Sequence, residues 1–107
     1  MAQPSNDLTY AHETARFVER RARADLAQSL EATAARLEHA AAALRRMASQ
    51  AHVPVPERVE WAQHEIATLL PHLDAADDHL GGVALVWADA RGEIDEVDAL
   101  LEAEQSA

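Results

Sequence analysis

The chain of 107 residues contains no cysteine and no lysine, and it has only three glycines and four prolines. Without cysteine, the protein forms no disulfide, no thiolate metal site and no cysteine nucleophile. Two of the glycines are adjacent, so a glycine-rich phosphate loop is excluded. The nine basic residues are all arginine, and together with 25 alanines they are typical of a GC-rich bacterial or phage coding sequence. Any contact with an anion would therefore use guanidinium groups.

Signals for membrane insertion, secretion and catalysis are missing as well. No apolar run approaches 18 residues, and the first residues form neither a basic nor an apolar leader region. No arrangement typical of Ser/His/Asp catalysis is present. We therefore expect a soluble, cytoplasmic protein that is not an enzyme, binds no cofactor or metal and does not contact a membrane.

The apolar residues are numerous but small. They make up 49% of the chain, yet 25 of them are alanine, and 27 larger apolar side chains remain to form a core. Because alanine removes little surface from water, such a core is thin, and burial against a second chain is a common remedy. The composition therefore predicts self-association.

Helical periodicity runs through the whole chain. Residues 6–51 contain neither glycine nor proline, and their apolar positions form one stripe with steps of three and four, which predicts one long helix. Two further helices are predicted at about 56–80 and 83–104, separated by Gly81 and Gly82 as a helix stop, with a kink at Pro71. An alternative for the last segment is a β-hairpin that pairs 83–87 with 93–97.

The helix lengths lead to a prediction of architecture. The two shorter helices cover only half of the first helix when they fold back on it, so residues 28–50 would form a three-helix bundle with them. Residues 6–27 would then pair, as in a coiled coil, with a second copy of the chain. We expect an all-α, single domain over 1–107, with flexible ends at 1–5 and 105–107, assembled as an intertwined homodimer.

The net charge of −10 is distributed unevenly along the chain. Residues 1–52 carry seven arginines and six acids, whereas residues 53–107 carry two arginines and thirteen acids. Such asymmetry carries information about binding partners rather than about the fold. A net negative charge repels the phosphates of nucleic acid, so it disfavours direct binding to nucleic acid and favours a basic protein partner. Candidate interaction residues are the cluster Arg16, Arg20 and Arg23 and the acids Asp74, Asp77, Asp78, Glu93, Asp95, Glu96 and Asp98.

Three interpretations of the arginine cluster remain open: a solvated helix surface with pairs such as Glu19 to Arg23, a counter-charge across a dimer, and phosphate contact. The aromatic residues are further candidates. Tyr10 and Phe17 project away from the stripe of the first helix, and Trp61 and Trp87 lie off or at the edge of theirs. Aromatic anchors in polar surroundings dominate many interfaces.

The six histidines are candidate metal ligands. Those on the second predicted helix, His64, His72 and His79, lie opposite its apolar stripe, so a solvated face is the simpler interpretation. The spacing of Arg58 and His64, and of Arg46 and His52, resembles that of HEPN-type helical ribonucleases. Val59 and Met47 follow the arginines where that family's stricter motif has a polar residue. The resemblance implies a ribonuclease as one alternative.

Two further function hypotheses follow. The first is a dimeric helical scaffold or regulator that binds another protein. The second is an antitoxin-like inhibitor whose acidic C-terminal half mimics the phosphates of a nucleic acid.

Overall fold

The computed structural model describes the backbone of residues 4–106 and the side chains of residues 6–106. Two helices account for nearly all of this part of the chain: α1, Pro4–Ser49, and α2, Val55–Ser106. No strand occurs in it, which confirms the all-α prediction and shows that the hairpin alternative at 83–97 is wrong. Of the ends predicted to be flexible, residues 1–3 and 107 lie outside the described residues, whereas Pro4 and Ser106 belong to helices.

The prediction of three helices is wrong, because α2 continues through the segment where a stop was expected. Gly81 and Gly82 have no positive φ, and a Cβ built on either would meet nothing within 4 Å. They are ordinary helical residues. Glycine costs a helix only about 1 kcal/mol relative to alanine, and the burial of Val83 and the partial burial of Leu80 on either side of the pair offset this cost. Pro71 also lies inside α2 and does not end it.

The connection between the helices is short and closed by local hydrogen bonds. The hydroxyl of Ser49 donates to the carbonyl of Arg46 at 2.9 Å, and the amide of Val53 donates to the carbonyl of Gln50 at 3.0 Å. The carbonyl of Pro54 then accepts the first bond of α2, from the amide of Arg58 at 3.2 Å. Pro56 lies in the first turn of α2, where an amide hydrogen would have no helical partner.

The helices divide into two compact units, and each unit is a pair of helical segments. Unit 2, Gln28–Leu80, is a helical hairpin made of the end of α1, the connection and the start of α2. Unit 1 pairs residues 4–27 with residues 81–106, and these segments are antiparallel, since Glu19 contacts Trp87 while His12 contacts Asp98. The expectation that residues 6–27 lie uncovered, outside a three-helix bundle, is therefore wrong. The single long α2 is what supplies their partner.

The core is thin, as the alanine content predicts. The buried apolar residues of unit 1 are Ala15, Ala22, Val83, Ala90, Ile94 and Val97, and those of unit 2 are Ala40 and Ala43. No large side chain among the described residues is completely buried. Leu30 and Leu37 belong to the apolar stripe of α1, which the sequence predicts as the packing seam of this helix, yet both are exposed. Two helices share one line of contact, small residues occupy that line, and the leucines lie beside it.

Candidate functional site

A polar cleft of about 530 Å³ lies in unit 1 between the start of α1 and the end of α2. Its lining combines three guanidinium groups, two carboxylates and an imidazole over the apolar side chain of Ile94; the polar members are His12, Arg16, Glu19, Arg23, Arg91 and Asp98. The α1 members recur at steps of three and four, so they share one side of that helix. Antiparallel pairing places Arg91 and Asp98 of α2 opposite them.

Glu19 is the central residue of this cleft and the one charged side chain among those described that is buried, with 7% of its surface exposed. Its Oε1 atom accepts a hydrogen bond from the indole Nε1 of Trp87 at 3.0 Å and a second one from the Nε of Arg23. Burial raises the pKa of Glu19. The hydrogen bonds from Trp87 and Arg23 and the positive charges of Arg23 and Arg91 together outweigh burial, and the pKa of Glu19 is lowered below its ordinary value. Glu19 is thus held as a carboxylate.

Further ion pairs surround Glu19. His12 Nε2 lies 2.8 Å from Asp98 Oδ1 and links the two helical segments. Arg91 donates to Asp95 along α2 at 2.8 Å, and this hydrogen bond is the main reason that the pKa of Arg91 is raised. The cleft is therefore a network in which most charges already have a partner within the chain.

The arginine cluster predicted from the sequence divides in the structure. Arg16 and Arg23 line the cleft, whereas Arg20 is exposed outside it. The pair of Glu19 and Arg23, which the sequence offered as an example of a solvated helix surface, is present, but Glu19 is buried and also bonds Trp87, so this part of the cluster is not a solvated surface. Residues 4–27, which carry the cluster, face the C-terminal segment of the same chain. The cluster therefore does not project beyond unit 1, contrary to the prediction that residues 6–27 lie outside the bundle.

The four predicted aromatic residues differ in their surroundings. Tyr10 and Phe17 are exposed on α1, with 73% and 56% of their surfaces accessible. Trp61 is exposed on α2 in unit 2, with no hydrogen-bonding partner for its indole in the described chain. Trp87 is tied to Glu19 through its indole nitrogen. Trp61 is accordingly the tryptophan with more freedom to meet a partner.

All of the predicted acidic residues are exposed. Asp74, Asp77 and Asp78 form a group in unit 2, and Glu93, Asp95, Glu96 and Asp98 follow along α2 in unit 1. Glu93 and Glu96 line, with Asp89, a groove of about 510 Å³ on α2. Asp95 and Asp98 are paired as described above, so the acids of unit 1 fall into a paired and an unpaired set.

The histidines do not form a metal centre in the described part of the chain, where no group of three or more His, Asp or Glu side chains could hold a metal ion. His39, Glu65 and His72 do line a common groove of about 300 Å³ in unit 2. The Arg58 of the HEPN-like spacing donates its Nε to the carbonyl of Val53 at 3.0 Å, and His64 is exposed on α2. Arg58 thus has a structural contact in the helix connection.

More apolar side chains are exposed on the two helices than are buried between them. Fourteen large apolar residues are exposed along the described chain, against eight buried ones, five of which are alanine. At the connection end of unit 2, a groove of about 320 Å³ is lined by Arg58 and by apolar residues of both helices. Neither helix contains an apolar stretch of the length and purity that a membrane span requires.

Sequence reasoning missed the role of Glu19 and the cross-helix contacts of His12 and Arg91. One signal was present: Glu19 adjoins Val18 of the predicted seam, and Trp87 was placed at the margin of the opposite stripe. The two could be matched only after α2 was known to be continuous. Comparison of the chain with protein-family models, with curated proteins and with solved structures finds no match.

Proposed function

We propose that this protein is a non-enzymatic interaction protein that self-associates and binds a further protein, as a scaffold or regulator. The observation that carries the proposal is the imbalance between exposed and buried apolar residues. Fourteen large apolar side chains are exposed, and no large side chain in the described chain is completely buried. Exposed apolar surface in this quantity is characteristic of interaction sites.

The energetics favour the same conclusion. Each CH₂ group removed from water stabilises the buried state by about 0.8 kcal/mol. Five of the eight buried apolar residues are alanine, so the two units gain little of this stabilisation by themselves. Association with a second helical surface supplies the missing burial, and stability then depends on protein concentration.

Multi-angle light scattering over a wide concentration range tests self-association. The expected result is a mass that rises from 11.7 kDa towards twice that value. A mass that stays at the monomer value at all concentrations would contradict self-association and leave the binding of another protein as the remaining part of the proposal.

Binding to another protein is tested by affinity capture from cells at low and at moderate salt. Trp61, with 44% of its surface exposed, is the expected anchor, so Trp61→Ala should weaken capture at both salt concentrations. Leu85→Ala, which removes an exposed apolar side chain of unit 1 that is not among the candidate interaction residues, is the control. Equal capture by wild type and Trp61→Ala would remove Trp61 from the interface.

A second candidate function is inhibition by mimicry of nucleic-acid charge. The observation that favours it is the groove on α2 lined by Asp89, Glu93 and Glu96, which have no ion pair among the described residues. A complex based on these charges weakens steeply between low and moderate salt and is displaced by DNA or RNA. A partner that stays bound in high salt and in the presence of nucleic acid would contradict mimicry.

A further inference from the structure

Unit 2 carries two apolar stripes, one on each helix. On α1, leucine and alanine alternate with steps of four and three: Leu30, Ala34, Leu37, Ala41, Leu44 and Ala48. On α2 the stripe consists of Val59, Ala62, Ile66, Leu70 and Leu73. Leu30, Leu37, Ile66 and Leu70 are all exposed. The leucines that were expected in the seam thus form a second apolar surface beside it.

The two stripes lie on the same side of the hairpin. Near the connection, Leu44 and Ala48 of α1 line one groove together with Val59 and Ala62 of α2. Because both stripes recur every three and four residues, they continue side by side away from the connection. We call the two stripes together the leucine face. None of the residues of the two stripes is charged, and the one charged residue in the groove near the connection is Arg58, whose positive charge does not repel a second chain of net negative charge.

We propose that the leucine face binds the same face of a second copy, with the two hairpins antiparallel, to form a four-helix bundle. This inference rests on the self-association proposed above and names its surface and orientation. The α1 stripe fits itself when it is read backwards: Leu30 lies opposite Ala48 of the second copy, and Leu37 lies opposite Ala41. Along α1, large and small side chains then interdigitate, whereas hairpins packed in parallel would place each α1 stripe opposite the α2 stripe of the other copy, in which only Ala62 is small.

Charge selects the same orientation. Arg45, Arg46 and Arg58 outnumber Glu57 and Glu60 at the connection end of unit 2, while the aspartate group Asp74, Asp77 and Asp78 lies at its opposite end. Antiparallel hairpins bring the arginines of each copy towards the aspartates of the other. Parallel hairpins would place the two aspartate groups together, and like charges in proximity oppose association.

Cysteine crosslinking tests the orientation. Because the chain has no native cysteine, any disulfide must join the introduced cysteines. An equimolar mixture of Leu30→Cys and Ala48→Cys, mildly oxidised, should give a mixed disulfide dimer, while each variant alone should give little. Efficient crosslinking of Leu30→Cys alone would overturn the antiparallel arrangement.

Charge substitution tests the surface. Leu37→Asp places two carboxylates in the centre of a twofold interface, and it should raise the dimer dissociation constant by roughly 100-fold or more. Ile66→Asp, on the other helix, should act in the same direction. The matched control is Leu85→Asp, at an exposed leucine of unit 1, which should leave the mass unchanged. Circular dichroism verifies that each variant remains helical.

The outcomes separate this inference from the proposed function. A wild-type dimer that Leu37→Asp and Ile66→Asp dissociate supports both. A dimer that neither substitution affects leaves self-association standing and overturns the leucine face as its site. A wild-type monomer overturns both self-association and this inference. If the wild type is monomeric and Leu37→Asp or Ile66→Asp abolishes its capture of a different protein, the leucine face binds that protein. This result would overturn a second copy as the occupant of the face.

Discussion

The indole nitrogen of Trp87 donates a hydrogen bond of 3.0 Å to the buried carboxylate of Glu19, across 68 positions of sequence. Glu19 lies on α1 and Trp87 on α2, so this bond joins the two segments of unit 1 at one defined register. The same carboxylate oxygen accepts from Arg23. One oxygen therefore ties a local pair on α1 to a contact between the helices.

The loss of this bond should destabilise unit 1. In Trp87→Phe the ring is shortened and the donor is removed, and we expect the free energy of unfolding to fall by about 1 kcal/mol. Urea denaturation, followed by circular dichroism at one fixed protein concentration, measures the change. Trp61→Phe is the control, because the Trp61 indole has no hydrogen-bonding partner among the described residues. Equal effects of the two substitutions would contradict a specific role of the Glu19 bond.

The carboxylate of Glu19 should also make stability depend on pH. Its pKa in the folded protein is lowered from the ordinary value of 4.5, so the unfolded chain binds the proton more readily. The contribution of Glu19 is fully present above the unfolded pKa and is lost as pH falls through the folded pKa. We expect wild type to exceed Glu19→Gln in stability above pH ~5, and the difference to shrink below pH ~4.

Denaturant melts of wild type and Glu19→Gln, collected between neutral and acidic pH, measure this dependence. Glu13→Gln serves as the control, since Glu13 is an exposed glutamate on the same helix. Its difference from wild type should vary much less with pH. A Glu19→Gln variant whose deficit grows as the pH falls would have the wrong sign for a lowered pKa.

The helical class and the course of α1 followed from the sequence, because composition and the three-four spacing agree over that whole stretch. The continuity of α2 through Gly81 and Gly82 did not, since local helix propensity favours a stop there, while the burial of Val83 and the partial burial of Leu80 favour a continuous helix. Tertiary packing decided the matter. Because the prediction divided α2 into two shorter helices, it left residues 6–27 without a partner in the same chain. The predicted three-helix bundle followed from that error.

The candidate site was predictable to a smaller extent. The local pair of Glu19 and Arg23 follows from a spacing of four on one helix. The contact of Glu19 with Trp87, and that of His12 with Asp98, depend on the register between distant segments. Register is set by which small residues meet in the seam, and a chain with 25 alanines offers many similar solutions.

The alanine seam of α1 provides a further prediction. Ala22 is buried at the contact with α2, so Ala22→Leu forces the helices of unit 1 apart and should destabilise the fold by about 1–3 kcal/mol. Ala24→Leu adds the same atoms at an exposed position of the same helix and should change stability by less than about 0.5 kcal/mol. Thermal unfolding at one protein concentration compares the two. A harmless Ala22→Leu would mean that α1 and α2 do not approach closely at this residue.

The glycines of α2 should be sites where the protein can be stabilised. Gly82 and Gly92 have no positive φ, and a Cβ at either meets no atom within 4 Å. Alanine there reduces the conformational entropy of the unfolded chain without a steric cost, so each replacement should raise the free energy of unfolding by about 0.5–1 kcal/mol. Gly82→Ala is the sharper test, because a helix stop at this position would need a glycine conformation that alanine avoids.

Denaturant titration of Gly82→Ala, Gly92→Ala and the double variant measures the gains in the free energy of unfolding. These gains should add, since the sites are ten residues apart. Destabilisation by Gly82→Ala alone, with Gly92→Ala stabilising, would indicate that α2 ends at Gly82 and would support the three-helix architecture instead.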